Sequence, residues 1–121
     1  MDITELQHIY ASHPNVKGLA KQLENSSVRT FFLGGLHASA SPLFFSSYLK
    51  NAPWTPIFIL NDMEEAGYFY HDLIQINGEE NVLFFPSSYR RAIKYGQKDA
   101  GNEILRTEVL SRIQKGDHVS I

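Results

Sequence analysis

The sequence predicts an α/β domain in which a mostly parallel sheet is covered by helices on both faces, a three-layer arrangement. Three observations predict it. Short, strongly apolar runs recur at Val28–Leu33, Ile57–Leu60 and Val82–Phe85. Segments with helical apolar spacing separate them. Most of their positions are apolar in succession rather than in alternation, as strands buried on both faces require. Right-handed crossovers then fix most of the topology.

Each element has its own signals. Asp2 is placed to cap a first helix, with Glu5 as its capping-box partner and Leu6, Ile9 and Tyr10 as its apolar stripe. Pro14 suits the first turn of a second helix, lined by Val16, Leu19, Ala20 and Leu23 and stopped by Asn25-Ser26-Ser27. Together they make a helical lead-in over about residues 1–25. The Val28–Leu33 run ends in Gly34-Gly35, and Ser41-Pro42 opens a helix carrying Leu43, Phe44, Phe45, Tyr48 and Leu49. Asn61 or Asp62 caps a long helix with Met63, Ala66, Phe69, Tyr70, Leu73 and Ile74 inward, ended by Asn77-Gly78. Pro86 closes the third run, and residues 87–100 are polar and irregular. A helix over Asn102–Lys115 presents Ile104, Leu105, Val109, Leu110 and Ile113, and Gly116 stops it. Val119-Ser120-Ile121 begins another strand.

The 121 residues suit one domain over 1–121, long enough to bury a core without staples. The last strand starts three residues before the sequence ends, so a fragment of a much longer chain is expected; the alternative is that Ile121 closes an edge strand. Hydrophobic residues make up 43% and charged residues 20%, which argues against disorder. The absence of cysteine excludes disulfide scaffolds, thiolate zinc sites and cysteine nucleophiles. The net charge of −2 conceals a split. Residues 1–85 carry four Lys/Arg against nine Asp/Glu, and residues 86–121 carry seven against four. An acidic body with a basic C-terminal third argues against a whole-surface nucleic-acid binder but leaves room for a local anionic contact. The acidic N-terminus lacks a signal-peptide pattern, and no apolar run approaches the roughly 20 residues that span a bilayer. A cytoplasmic protein with no membrane partner is expected.

Ligands of open parallel sheets bind at strand C-terminal ends, which directs attention to the turn Leu33-Gly34-Gly35-Leu36-His37-Ala38-Ser39-Ala40-Ser41-Pro42. Against the phosphate-loop pattern G-x-x-x-x-G-K-[ST], Gly35 matches the first glycine. Ala40 stands at the second glycine, Ser41 at the lysine and Pro42 at the hydroxyl residue. Ala40 resists the backbone conformations that cradle phosphate, Ser41 carries no charge, and Pro42 offers magnesium no hydroxyl. The vestigial loop Gly35, Ala40, Ser41 and Pro42 therefore reads as a tight turn with Ser41 as N-cap.

This turn, Phe58-Ile59-Leu60-Asn61-Asp62-Met63-Glu64-Glu65-Ala66, the run into Phe85-Pro86-Ser87-Ser88-Tyr89, and Asn102–Leu110 carry a resemblance. In order and spacing over nearly the full chain, they resemble the N-terminal segment of bacterial transcription-repair coupling factors, especially Bacteroidetes-type members. That segment is itself similar to the first domain of the excinuclease subunit UvrB. The resemblance implies a degenerate P-loop NTPase-like (UvrB-like) fold. It implies a non-catalytic N-terminal scaffold or interaction domain of a factor that releases stalled RNA polymerase by ATP-driven DNA translocation and recruits UvrA. ATP and magnesium would serve only the full-length motor, with no cofactor for this domain. Partners would be the remaining domains of the parent chain, with UvrA and RNA polymerase engaged through the full-length protein. No UvrA-contacting residue carries over to these positions. The alternative is a stand-alone small α/β nucleotide-binding protein or enzyme using the turn after the first strand.

Other residues offer candidate chemistry. Tyr89, Arg90, Arg91, Lys94 and Lys98 interleave rings with cations; the readings, in order, are contact with a partner domain or protein, a solvated loop, and direct DNA contact. His8, His13, His37, His71 and His118 show no i, i+4 ligand pair, so no metal site is expected. Asp62, Glu64 and Glu65 are explained by capping and the helix dipole rather than acid–base work. Ser39/Ser41, Ser46/Ser47 and Ser87/Ser88 lack the G-x-S-x-G elbow of a serine hydrolase, so no catalytic residue is assigned. Phe44, Phe45, Tyr48, Phe69 and Tyr70 read as packing, and Trp54 as an exposed interface anchor.

Overall fold

The first helix, α1 (Ile3–Ser12), begins at the capping box that its sequence predicts. Asp2 Oδ1 accepts from the Glu5 N–H at 2.8 Å, and Glu5 Oε2 accepts from the Asp2 N–H at 3.0 Å. The computed structural model describes residues 1–25, 27–49, 52–87 and 100–121. Helix α2 (Pro14–Glu24) has Pro14 in its first turn, where a missing N–H costs nothing. Its cap is His13, whose Nδ1 accepts from the Asn15 N–H at 3.2 Å. At its end Asn25 Oδ1 accepts from the N–H and the hydroxyl of Ser27 at 3.2 and 2.9 Å. Two helices thus occupy most of the first 24 residues.

Helix α3 spans Ala40–Leu49 and α4 spans Met63–Asn77. Asp62 Oδ1 caps α4 by accepting from the Glu65 N–H at 2.8 Å. Gly78 ends α4 with φ at +90°. That backbone conformation calls for glycine, while the nearest atom a Cβ would meet, Glu80 Oε1 at 3.1 Å, is the end of a flexible side chain. A 3-10 turn over Glu79–Asn81 follows, and α5 spans Ala100–Lys115.

Two apolar clusters hold these pieces. Val16 and Leu19 of α2 bury against Phe44 of α3, with Tyr10, Phe31, Leu36, Phe45 and Tyr48 around them. Leu83, Val109 and Val119 form the second cluster, with Ile121 against it. A chain of aromatic rings runs from the first cluster toward α4. Centroids lie 5.5 Å apart for Phe44–Phe45, 5.4 Å for Phe45–Phe58 and 4.9 Å for Phe58–Phe69. Each such pair contributes about 0.5–1.5 kcal/mol beyond its area burial.

The three-layer parallel sheet is not present. Among the described residues the regular structure is five α-helices and one 3-10 turn, with no strand. The UvrB-like, P-loop NTPase-like architecture expected from the resemblance is not seen either, because a sheet defines it. The apolar runs are extended, but pairing is confined to the last residues of the chain. The Ser120 N–H donates to Asn81 O at 2.8 Å, and the Leu83 N–H to Ser120 O at 2.7 Å. On the other side, the Ile121 N–H donates to Pro56 O at 3.0 Å and the Phe58 N–H to Ile121 O at 2.7 Å. Residues 119–121 thus lie between two parallel neighbours. Two hydrogen bonds per side yield an isolated bridge at Val82–Ser120 and no ladder. The run Val28–Leu33 joins neither neighbour: the Val28 N–H turns back to Asn25 O at 3.3 Å, and Phe32 is 96% exposed. Apolar content marked the segments that extend; it did not supply hydrogen-bonding partners.

A second correction concerns α5. Of its predicted apolar face Val109 is buried, whereas Ile104, Leu110 and Ile113 are exposed. Two arginines anchor this helix. Arg106 sits over the Phe85 ring at 4.7 Å and its Nη1 donates to Pro86 O at 3.4 Å. Arg112 pairs with Asp117, and its Nη2 donates to Glu80 O at 3.0 Å.

Replacing Asp62 by Ala should lower stability by about 1 kcal/mol through the lost cap. Leu73→Ala, at an α4 position only 2% exposed, should cost about 2–5 kcal/mol through a cavity. Urea denaturation of the two variants checks the ranking.

Candidate functional site

The turn at residues 34–42 lies outside the lining of the cleft described below. Gly35 has φ at +82°, which suits glycine at the bend. Ala38 follows at φ +47°, a left-handed conformation uncommon for alanine. The turn closes by the Ala40 N–H to His37 O at 3.0 Å and the Ser41 N–H to Ala38 O at 3.3 Å. Helix α3 begins at Ala40, so Ser41 lies inside its first turn and is not the N-cap. Pro42 is fully buried in that turn, and His37 is exposed. These residues join a bend to a packed helix, without a cation from the turn itself.

A cleft lies elsewhere. A cleft of about 860 Å³ opens among residues 57–63, helix α4, residues 82–87 and helix α5. Its walls follow from the alternation of extended backbone. Phe58 and Phe84 turn toward α4, meeting Phe69 and Tyr70 with centroids 4.9 and 5.3 Å apart. Leu83 and Phe85 turn the other way, to Val109 and Arg106 of α5. Ile57 and Ile59 also line the cleft and remain 65% and 92% exposed. Leu110 and Ile113 of α5 line it while 61% and 46% exposed. Burying one such side chain is worth about 1.5–3 kcal/mol, so a contiguous set left in water marks an interaction surface.

Polar chemistry at the cleft is sparse. Asn61, Asp62, Ser87 and Asn102 supply most of it; Asp62 is committed to capping, and Asn61 donates its N–H and Nδ2 to Glu65 Oε2 at 3.0 and 2.8 Å. Burial raises the Tyr70 phenol above its ordinary pKa, and the carboxylates of Glu79 and Glu108 add to the shift. Tyr48 is raised in the same way, by burial and then by Glu24. Ser46 is buried and donates to Leu43 O at 3.0 Å, a back-bond within its own helix. Among the described residues no group of three or more His, Asp or Glu side chains is gathered as a metal could use.

The residues singled out from sequence separate widely. The phosphate turn lies ahead of α3, outside the cleft lining. The aromatic stripe packs as expected, and Trp54, 42% exposed, lies against Tyr48 with ring centroids 5.8 Å apart. Tyr89, Arg90, Arg91, Lys94 and Lys98 lie outside the described residues. Sequence reasoning missed the cleft. Its signal was present in Ile57 and Ile59, β-branched residues two apart that share one side of an extended segment. No helix among the described residues is long and apolar enough to cross a membrane. No family model matches the chain, and no curated protein or solved structure matches it either.

The Tyr70 shift has a sign that can be read in solution. A raised folded pKa means that the fold favours the neutral phenol. Its contribution is complete below the unfolded value near 10 and is lost as pH rises through the folded value. Stability should therefore fall above about pH 10, and Tyr70→Phe should lose stability less steeply there than the parent. Urea midpoints across pH 8 to 11, with phenolate absorbance followed in parallel, check this; equal slopes would remove Tyr70 from the account.

Proposed function

We propose that this chain is a non-catalytic interaction domain of a transcription-coupled nucleotide excision repair factor. The observation that carries the interaction reading is the contiguous exposed apolar set Ile57, Ile59, Leu110 and Ile113 around one cleft. A soluble domain that exposes such a set gains by docking it. The repair assignment rests on the sequence resemblance to transcription-repair coupling factors. On this reading the parent protein works in the cytoplasm as an ATP-driven DNA translocase that releases stalled RNA polymerase and recruits UvrA. This domain meets the remaining domains of that protein, contacts DNA weakly or not at all, and binds no cofactor itself.

The competing reading is a nucleotide-binding protein or enzyme using the turn at Gly35–Ser41. Two features oppose it. Ser41 brings no cation, and the Pro42 position can offer neither a hydroxyl nor an N–H. Pro42 is also fully buried. Calorimetry with ATP and magnesium should show no binding by the chain at micromolar concentrations; micromolar affinity would establish the competing reading instead.

The cellular test is repair itself. In the source organism, Ile59→Lys should abolish the faster repair of transcribed strands after ultraviolet damage while leaving protein level unchanged, because the substituted side chain is already solvent-exposed. Equal repair preference in variant and parent would remove the cleft from that function.

A further inference from the structure

We propose that Trp54, Tyr48 and Glu24 form an acceptor site for an arginine side chain of a partner polypeptide. The site shares no residue with the cleft and does not rest on the cleft's role. Helices α2 and α3, which pack together, bring it into being. Tyr48 leans on the cluster of Val16, Leu19 and Phe44. At the end of α3 the Ala52 N–H donates to Leu49 O at 3.1 Å, and Ala52 is buried. The chain then folds back so that the Trp54 ring lies against Tyr48, with centroids 5.8 Å apart and planes inclined at 45°. Glu24 is the last residue of α2. Burial, and then the Glu24 carboxylate, raise the Tyr48 phenol, so that carboxylate is within electrostatic reach of the ring pair.

The electrostatics of the site favour a cation. Aromatic faces carry the negative side of a quadrupole, and indole attracts cations best among the aromatic side chains. Two rings tilted rather than stacked form an open wedge, and Trp54 is 42% exposed, within reach of a partner. Glu24 is exposed and stands where the unsatisfied carbonyls of α2 already make its end negative. Lys21 is the cation in that last turn. Among the described residues neither the Glu24 carboxylate nor the Trp54 indole N–H has a hydrogen-bond or ion-pair partner.

Arginine is the cation that answers both groups. Its planar guanidinium lies flat on a ring while its edge donates to an oxygen. The molecule already uses this arrangement internally: Arg106 covers the Phe85 ring at 4.7 Å and donates to Pro86 O. At Trp54 the ring and the acidic helix end are present and the guanidinium is to be supplied from outside. A lysine ammonium is a compact, strongly hydrated point charge and gains less from a ring face. An apolar group would cover the rings and leave the helix-end carboxylate uncompensated. Tryptophan, tyrosine and arginine are also the residues that concentrate binding energy where two proteins meet, which fits an arginine carried by a polypeptide.

The test titrates the full chain with the peptide acetyl-Gly-Arg-Gly-amide, and with the same peptide carrying citrulline, which keeps the shape and loses the charge. Trp54 is the chain's one tryptophan, so its indole N–H resonance reports the site directly. The arginine peptide should shift that resonance saturably, together with the Tyr48 and Glu24 amides. Citrulline should weaken binding about threefold or more, as should Glu24→Gln in the protein, the range of one exposed cation contact. Trp54→Leu, followed at the Tyr48 and Glu24 amides, should do the same. Both substituted side chains are exposed, and unchanged amide positions at Val16 and Phe44 would show that the core between α2 and α3 is kept. Equal binding of the citrulline peptide would overturn the proposal. Equal or tighter binding of a lysine peptide or of tetramethylammonium would mean an unselective ammonium site and overturn it too. So would an indole shift driven by protein concentration alone, which would put a second copy of the chain in the site. None of these results touches the cleft, and unaltered repair in Ile59→Lys cells leaves the arginine site standing.

Discussion

Much of this molecule depends on three residues. Val119, Ser120 and Ile121 lie between two extended segments and tie them together through four backbone hydrogen bonds. Each such bond contributes only about 0.5–1.5 kcal/mol net. Their importance lies in what they join. The segment at Pro56–Phe58 leads to the aromatic chain and the α2–α3 core, while the segment at Asn81–Leu83 leads to the Val109 cluster under α5. Helix α5 has one buried residue, Val109, and Arg106 and Arg112 add contacts to Phe85, Pro86 and Glu80. Without the tripeptide the second cluster would lose Val119 and its link to the first.

The basic C-terminal third acquires a different meaning in this light. Arg106 and Arg112 account for part of its positive surplus, and both are committed to internal contacts. One lies over an aromatic ring and on a carbonyl; the other bridges Asp117 and the turn at Glu80. Charge counted along a sequence therefore overstates what a partner can meet. Arginine is suited to such work because its planar fork serves a ring, a carbonyl and a carboxylate at once.

The local elements were legible where the signal is local. The Asp2–Glu5 box, Pro14 in the first turn of α2, the Asp62 cap and the Gly78 stop depend on residues within a few positions, and each is found. The sheet was not legible, because pairing is decided between segments far apart in sequence. Val28–Leu33, Ile57–Leu60 and Val82–Phe85 all read as strands; the last two meet the C-terminal tripeptide briefly and the first meets neither. The candidate site failed in the same way. The phosphate-turn comparison was a local motif, read within ten residues of the chain. The cleft is assembled from four distant segments and has no motif. His13 as a cap was missed because imidazole is an uncommon acceptor at that position.

Phe31-Phe32-Leu33 has a consequence for handling the protein. It is an extended apolar run with its ladder edge unoccupied and Phe32 almost wholly in water. Such an edge is a template for copies of itself. Residues 1–85 carry four Lys/Arg against nine Asp/Glu, and like charge of that sign opposes such association. That repulsion is long-ranged only when salt is low, since screening shortens it to about 10 Å at 0.1 M ionic strength. Added salt therefore weakens the opposition that this charge offers to association through the edge.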